Sequence, residues 1–159
     1  MRVSRLYLDQ PLSTGEEIGL DARGRHYVQQ VLRLRVGQTL TLFNGDGNDY
    51  SAELLSAGRR DCRVRVGPVT RTEPSSPLRL RLAIGISRGE RMDFAIQKSV
   101  ELGVHAITPL HTERSLVQLE GERLKKRLEH WRGVVVSACE QSGRARIPQL
   151  HEPLPIDDW

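Results

Sequence analysis

Leu78-Arg79-Leu80-Arg81-Leu82-Ala83-Ile84-Gly85-Ile86, then Met92-Asp93-Phe94-Ala95-Ile96-Gln97-Lys98-Ser99-Val100-Glu101-Leu102, then Val104-His105-Ala106-Ile107-Thr108-Pro109-Leu110: these three runs decide the fold. The first and third have the length and apolar content of strands, and between them Met92, Ala95, Ile96 and Val100 recur at helical spacing. Glu122–Ser142 repeats the helical pattern, with Leu124, Leu128, Trp131, Val135, Ala138 and Cys139 as one apolar stripe, and leads into a third strand, Ile147–Leu150. Strand, helix, strand, helix, strand is the grammar of a parallel sheet, with helices expected on both faces. At Pro155-Ile156-Asp157-Asp158-Trp159 an Asp after a proline is how another helix would begin. The last strand lacks a covering crossover, so the expectation is that the natural protein continues past Trp159 or that a partner chain completes the layer.

Upstream the grammar differs. Arg71-Thr72-Glu73-Pro74-Ser75-Ser76-Pro77 holds two prolines, two serines and no apolar residue, which reads as a linker over 71–77. Before it, Arg2–Leu8, Thr39–Phe43, Tyr50–Leu55 and Cys62–Val69 read as strands, with Asn44-Gly45-Asp46-Gly47 a hairpin turn. Cys62, Val64 and Val66 alternate with Arg63 and Arg65, giving one apolar and one basic face. One helix interrupts, with Asp21 as N-cap and Tyr27, Val28, Val31 and Leu32 at helical spacing. Residues 1–70 are thus expected to form a small barrel, and 78–159 an α/β domain.

The composition, 38 % apolar with 14 glycines in 159 residues, is that of a globular chain and excludes general disorder. No apolar run approaches the length of a membrane span, the N-terminus shows no signal-peptide pattern, and Cys62 and Cys139 cannot build a disulfide framework. The chain reads as soluble and cytoplasmic. Of its 24 basic residues 21 are arginine, a planar fork suited to phosphate oxygens, although a GC-rich genome also favours arginine codons. Between Met1 and Ser76 eleven arginines face nine carboxylates, a net of only +2, so any RNA affinity must come from clustering.

Gly85-Ile86-Ser87-Arg88-Gly89 matches the G-x-S-x-G nucleophile elbow, which makes a serine hydrolase using Ser87 one reading. Against it, no oxyanion segment of the H-G-G-G type exists and the sheet is too short to carry a triad. The five histidines show no H-x-x-x-H spacing and no carboxylate at metal-ligand distance, so no metal is expected. Neither G-x-G-x-x-G nor a Walker A loop is present. Lys125-Lys126-Arg127, opposite the stripe of the long helix, reads as a solvated face. Glu140-Gln141-Ser142-Gly143-Arg144-Ala145-Arg146 ends that helix, with Gly143 at the C′ position. Helix capping explains Gly143 and Arg144 but not the run of Glu, Gln and Ser, and a functional turn stands beside it as the alternative.

The chain resembles the RsmE family of ribosomal RNA uridine methyltransferases. The resemblance rests on Val31-Leu32-Arg33, on Ser87-Arg88-Gly89-Glu90-Arg91-Met92, and on Ile96-Gln97-Lys98-Ser99-Val100-Glu101-Leu102-Gly103-Val104. Pro109-Leu110, Glu113-Arg114-Ser115 and Glu140-Gln141-Ser142-Gly143-Arg144 complete it, almost end to end and in order. It implies a PUA-like RNA-binding barrel followed by a SPOUT (trefoil-knot) methyltransferase domain, α+β and α/β in class. It further implies a homodimer that uses S-adenosylmethionine to methylate N3 of a uridine in small-subunit (16S) ribosomal RNA, in ribosome biogenesis. The family's donor-site segments, G-P-E-G-G-like and L-G-x-R-x-L-R-x-E-T-A-like, have no counterpart here, so the donor site is expected beyond Trp159 and this chain alone is expected to be inactive. By motif position Glu140 and Arg144 are the catalytic candidates, Arg144 stabilising charge on uracil oxygens and Glu140 accepting the N3 proton or orienting Arg144. Arg2, Arg5, His26, Arg33, Arg35, Arg88, Arg91 and Arg114 are the candidate RNA contacts. The alternative is a non-catalytic PUA-like RNA-binding module.

Overall fold

The computed structural model describes residues 4–59, 61–113 and 119–159. The chain divides into two compact units, Met1–Pro74 and Ser75–Trp159.

The first unit is a five-stranded sheet in the order β1-β3-β4-β5-β2, made of β1 (Arg5–Tyr7), β2 (Glu17–Gly19), β3 (Thr39–Phe43), β4 (Asn48–Ala57) and β5 (Cys62–Thr72). β1 lies parallel to β3, and the other pairings are antiparallel. The alternation read in the sequence is realised on β5: Cys62, Val64 and Val66 are buried, while Arg63 and Arg65 face water. β5 runs on to Thr72, two residues into the stretch expected as linker. The register of β4 on β5 shifts three times, and such irregularities bend and twist a strand pair around its core. Leu6, Leu42, Leu54 and Val64, all fully buried, lie in that core. Gly67 is required there, because a Cβ would collide with the Ser51 hydroxyl. The β3–β4 turn is locked by Asp46, which accepts from the Asn48 amide (2.7 Å) and from the Tyr50 hydroxyl (2.7 Å).

The helix of this unit differs from expectation. Asp21 is its N-cap, accepting from the Gly24 amide at 2.7 Å, but α1 (Ala22–His26) lasts only five residues before a π-helical turn, Tyr27–Val31. Leu32 N–H bonds Tyr27 O at 2.8 Å, an i to i+5 step. The wider step rotates Val31 off the apolar face, leaving it 57 % exposed, and Leu34 packs on the core together with Tyr27 and Val28.

The second unit is a parallel sheet in the order β6-β7-β8, built from β6 (Arg81–Gly85), β7 (Ala106–His111) and β8 (Gln149–Leu150). A short β9 (Leu154–Pro155) continues beside β7 where β8 leaves it; the third strand expected over Ile147–Leu150 is realised only at Gln149–Leu150, and β9 lies beyond it. Helix α2 (Glu90–Glu101) buries Met92, Ile96 and Val100, and α3 (Gly121–Ser142) buries Leu128, Trp131, Val135, Ala138 and Cys139, the stripes read in the sequence. Among the described residues, helices on both faces are not observed. A strand order without reversal, joined by right-handed crossovers, puts α2 and α3 on one face, and the two pack against each other, with His130 Nε2 2.7 Å from Asp93 Oδ2. No helix among the described residues is long and apolar enough to cross a membrane.

Candidate functional site

The turn that ends α3 is built around Gly143, whose φ of 82° stops the helix while its amide still reaches Cys139 O at 3.1 Å. Glu140, one turn earlier, is buried. Arg144 is half-buried and donates from Nη1 to Val104 O at 2.8 Å and to Val100 O at 3.2 Å. Both carbonyls belong to the end of α2 and the turn into β7, so the guanidinium caps α2, where the helix dipole is negative. Arginine does cap a helix here, though not the one whose turn it occupies.

This anchoring fixes where the turn lies. α3 runs antiparallel to the strands, so Glu140 and Arg144 stand at the amino edge of the sheet. Ser87, Arg88 and Arg91 follow β6 and therefore stand at the carboxyl edge, where ligands of open α/β sheets gather. The length of β7, six residues or about 20 Å, separates the two groups. The fold does not bring the catalytic candidates to the same edge as Arg88 and Arg91. Ser87 is half-buried just before Gly89, the N-terminal cap of α2, and bonds no histidine among the described residues, so the elbow lacks its base.

Of the RNA candidates, Arg2 and Arg114 lie outside the described residues. Arg5 does not face solvent. It is 8 % exposed, its Nη1 lies 2.6 Å from Asp49 Oδ2, and its guanidinium sits 4.6 Å from the centroid of the Phe43 ring. Arg71, which the sequence reading passed over, bonds the same Asp49 oxygen at 2.7 Å. The opening strand turns Arg5 inward because Asp49 waits there, and Arg5 leaves the set of phosphate contacts. His26, Arg33, Arg35, Arg88 and Arg91 are all exposed. The basic face of β5 is neutralised: Glu17 lies 2.9 Å from Arg65 and 4.0 Å from Arg63, and Glu53 lies 3.7 Å from Arg65. Among the described residues no group of three His, Cys, Asp or Glu side chains could hold a metal ion.

Residues 74–159 match the model of an RNA methyltransferase domain, and residues 20–67 that of an RNA methyltransferase PUA domain. The ribosomal RNA small subunit methyltransferase E of Buchnera aphidicola (from Schizaphis graminum) is 34 % identical over 158 residues, 99 % of this chain and 64 % of that protein. A methyltransferase from Legionella pneumophila, solved in complex with S-adenosylmethionine, superposes with a TM-score of 0.95 at 39 % identity over 99 % of this chain and 65 % of that one. The ribosomal RNA small subunit methyltransferase E of Neisseria gonorrhoeae, bound to S-adenosylmethionine, gives 0.90 at 40 % identity over 96 % of this chain and 63 % of that one. The chain spans less than two thirds of the length of each of these relatives.

Proposed function

The chain belongs to the RsmE family of RNA methyltransferases, whose methyltransferase model matches more than half of its residues, and from that premise we propose that its protein methylates N3 of a uridine in small-subunit ribosomal RNA with S-adenosylmethionine as donor. The observation that carries the proposal is the joint match of a PUA unit and a methyltransferase unit, in that order, to relatives solved with that donor bound. Cytoplasmic location, assembly as a homodimer and binding to the small ribosomal subunit belong to the same reading.

Among the described residues of the second unit the buried side-chain polar atoms lacking a hydrogen bond are Asp93 Oδ1, in the first turn of α2, and Trp131 Nε1, on α3. In this proposal the donor-binding residues belong to the third of the relatives that this chain does not span, since the family's G-P-E-G-G-like and L-G-x-R-x-L-R-x-E-T-A-like segments have no counterpart in residues 1–159.

The residues at hand have positioning work. Arg88 and Arg91 at the carboxyl edge, with His26, Arg33 and Arg35 on the PUA unit, hold RNA phosphates. Arg144 acts as a positioning residue that fixes the α3 turn, and Glu140, buried one turn earlier, orients that turn. Orientation of the reactants supplies several kcal/mol of such a barrier. The non-catalytic RNA-binding alternative has no observation in its favour, because the methyltransferase match covers the whole second unit.

The test is expression of the gene's whole product in a bacterium deleted for its own enzyme of this family, with mass spectrometry of 16S ribosomal RNA. Restored N3-methyluridine is the expected result. Folded product without the mark overturns the proposal, and calorimetry showing a stoichiometric donor site on the 159-residue chain overturns the location given for that site.

A further inference from the structure

Asn44-Gly45-Asp46-Gly47-Asn48 joins β3 to β4 and holds both asparagines of the chain. Two successive Asx turns shape it. Asn44 Oδ1 accepts from the Asp46 amide at 3.2 Å, and Asp46 Oδ1 accepts from the Asn48 amide at 2.7 Å. Each such bond closes a ring that folds a side-chain Cγ back toward the backbone nitrogen of the next residue. For Asn44 that nitrogen belongs to Gly45, which has no Cβ to shield it and a φ of 94° that favours glycine.

The turn distinguishes its three candidates. Asp46 is a carboxylate and a poor electrophile, its second oxygen is held by the Tyr50 hydroxyl at 2.7 Å, and Gly47 after it is buried. Asn48 stands in β4 with its backbone extended, and its Oδ1 accepts from the Thr72 hydroxyl at 2.8 Å. Asn44 is a neutral carboxamide with ammonia as its leaving group, and both it and Gly45 are partly exposed to water. The amide that Asp46 aims at Asn44 Oδ1 also stands where an oxyanion would develop if Cγ were attacked.

We infer that Asn44–Gly45 is a site of self-modification in the folded protein. The Gly45 nitrogen bonds to Asn44 Cγ, and its proton passes by way of water to Nδ2. The Cγ–Nδ2 bond breaks, ammonia leaves with that electron pair, and a succinimide remains. Water then opens the ring at one carbonyl or the other, giving aspartate or isoaspartate without any oxidant or reductant. Isoaspartate lengthens the main chain by one methylene just after β3. Either product loses the hydrogen bond from Nδ2 to Gln10 O, 3.2 Å in the unmodified chain, and places a new carboxylate beside Asp46.

The experiment keeps the 159-residue chain folded at mildly alkaline pH and body temperature for weeks. Samples are peptide-mapped by mass spectrometry, with chromatography to separate isoaspartate from aspartate, and melted in parallel. Asn44 is expected to lose its amide while Asn48 keeps its own, with isoaspartate the larger product. The melting temperature of the first unit should fall by about 4–8 °C, the effect of one net hydrogen bond on a unit of this size. Asn44→Ser keeps a side-chain oxygen for the Asp46 amide but has no carboxamide, so it should age without either change. An intact Asn44 after native ageing overturns the inference, as does loss of the amide only in chain unfolded by urea. Amide loss at Asn48 as fast as at Asn44, or isomerisation of Asp46 ahead of both, also overturns it, because the turn then does not choose the residue.

Discussion

Arg144 Nη1 donates to the Val104 carbonyl at 2.8 Å, so the turn ending α3 is fastened to the turn that feeds β7. The same nitrogen reaches Val100 O at 3.2 Å, and one cation thereby answers two carbonyls at the negative end of α2. Arg144→Ala is expected to lower the stability of the second unit by about 2 kcal/mol, the value of a charge-assisted hydrogen bond at a half-buried site. Arg144→Lys should recover only part of it. Urea unfolding followed by the fluorescence of Trp131, buried on α3, reads this directly. An unchanged midpoint would remove the positioning role.

The Arg5–Asp49 pair makes a different demand. Both side chains are buried, so Asp49→Ala leaves the Arg5 charge with its chief counterion gone, and a loss of about 3–5 kcal/mol is expected. Replacing both, Arg5→Met with Asp49→Leu, should cost much less, because no charge is then left inside. Arg71, nearly half exposed on the same carboxylate, softens the single loss only slightly. The variant Arg5→Met should leave the salt dependence of RNA binding as it was, and a flatter slope would return Arg5 to the phosphate contacts.

The contrast between these residues shows what a sequence carries. β5 is readable because Cys62, Val64 and Val66 alternate with Arg63 and Arg65 over several residues, and α3 because its stripe persists for about four turns. The π turn is not readable, since an i to i+5 step over five residues differs from an α-helical one too briefly to alter the pattern, and Val31 is misplaced for that reason. β2 rests on one buried residue, Ile18, which no periodicity reveals. At the site, exposure rather than residue type separates phosphate contacts from structural arginines. Arg5 is decided by an aspartate 44 positions away, and Arg65 by Glu17, 48 positions away. Such pairings are tertiary facts.

Alkaline pH should weaken the first unit. Burial holds the Cys62 thiol above its ordinary value of 9.0; Arg25 pulls it partly back, and Asp61 pushes it up. The hydrogen bond that Tyr50 gives to Asp46, reinforced by burial, raises the phenol above 10.0. In both cases the folded state holds its proton more tightly than the unfolded chain. The stabilisation is therefore complete below the unfolded values and is lost as pH rises through the folded ones. Urea midpoints should stay level up to about pH 9 and then fall. Cys62 and Cys139, both buried, should resist iodoacetamide at neutral pH until the chain unfolds, and rapid labelling of the native protein would contradict this burial.

The neutralised face of β5 offers a gain-of-binding test. Glu17 lies on edge strand β2 within ion-pair distance of both Arg63 and Arg65, and all three side chains are partly exposed. Pairs of this kind contribute little to stability, so Glu17→Gln should change the unfolding free energy, read from urea unfolding, by less than about 1 kcal/mol. Its effect on RNA should be larger, because it removes the negative charge that competes with phosphate for two arginines. Tighter binding to any RNA is expected, with the slope against log salt steeper by about 0.7–0.9 for each arginine that gains a phosphate. Arg63→Ala and Arg65→Ala in the wild-type background should leave affinity and slope nearly unchanged, since those side chains are already answered by Glu17 and Glu53. If the two alanine variants weaken RNA binding while Glu17→Gln does nothing, then β5 grips RNA in spite of its carboxylates, and the charge argument that singles out Arg33 and Arg35 fails with it.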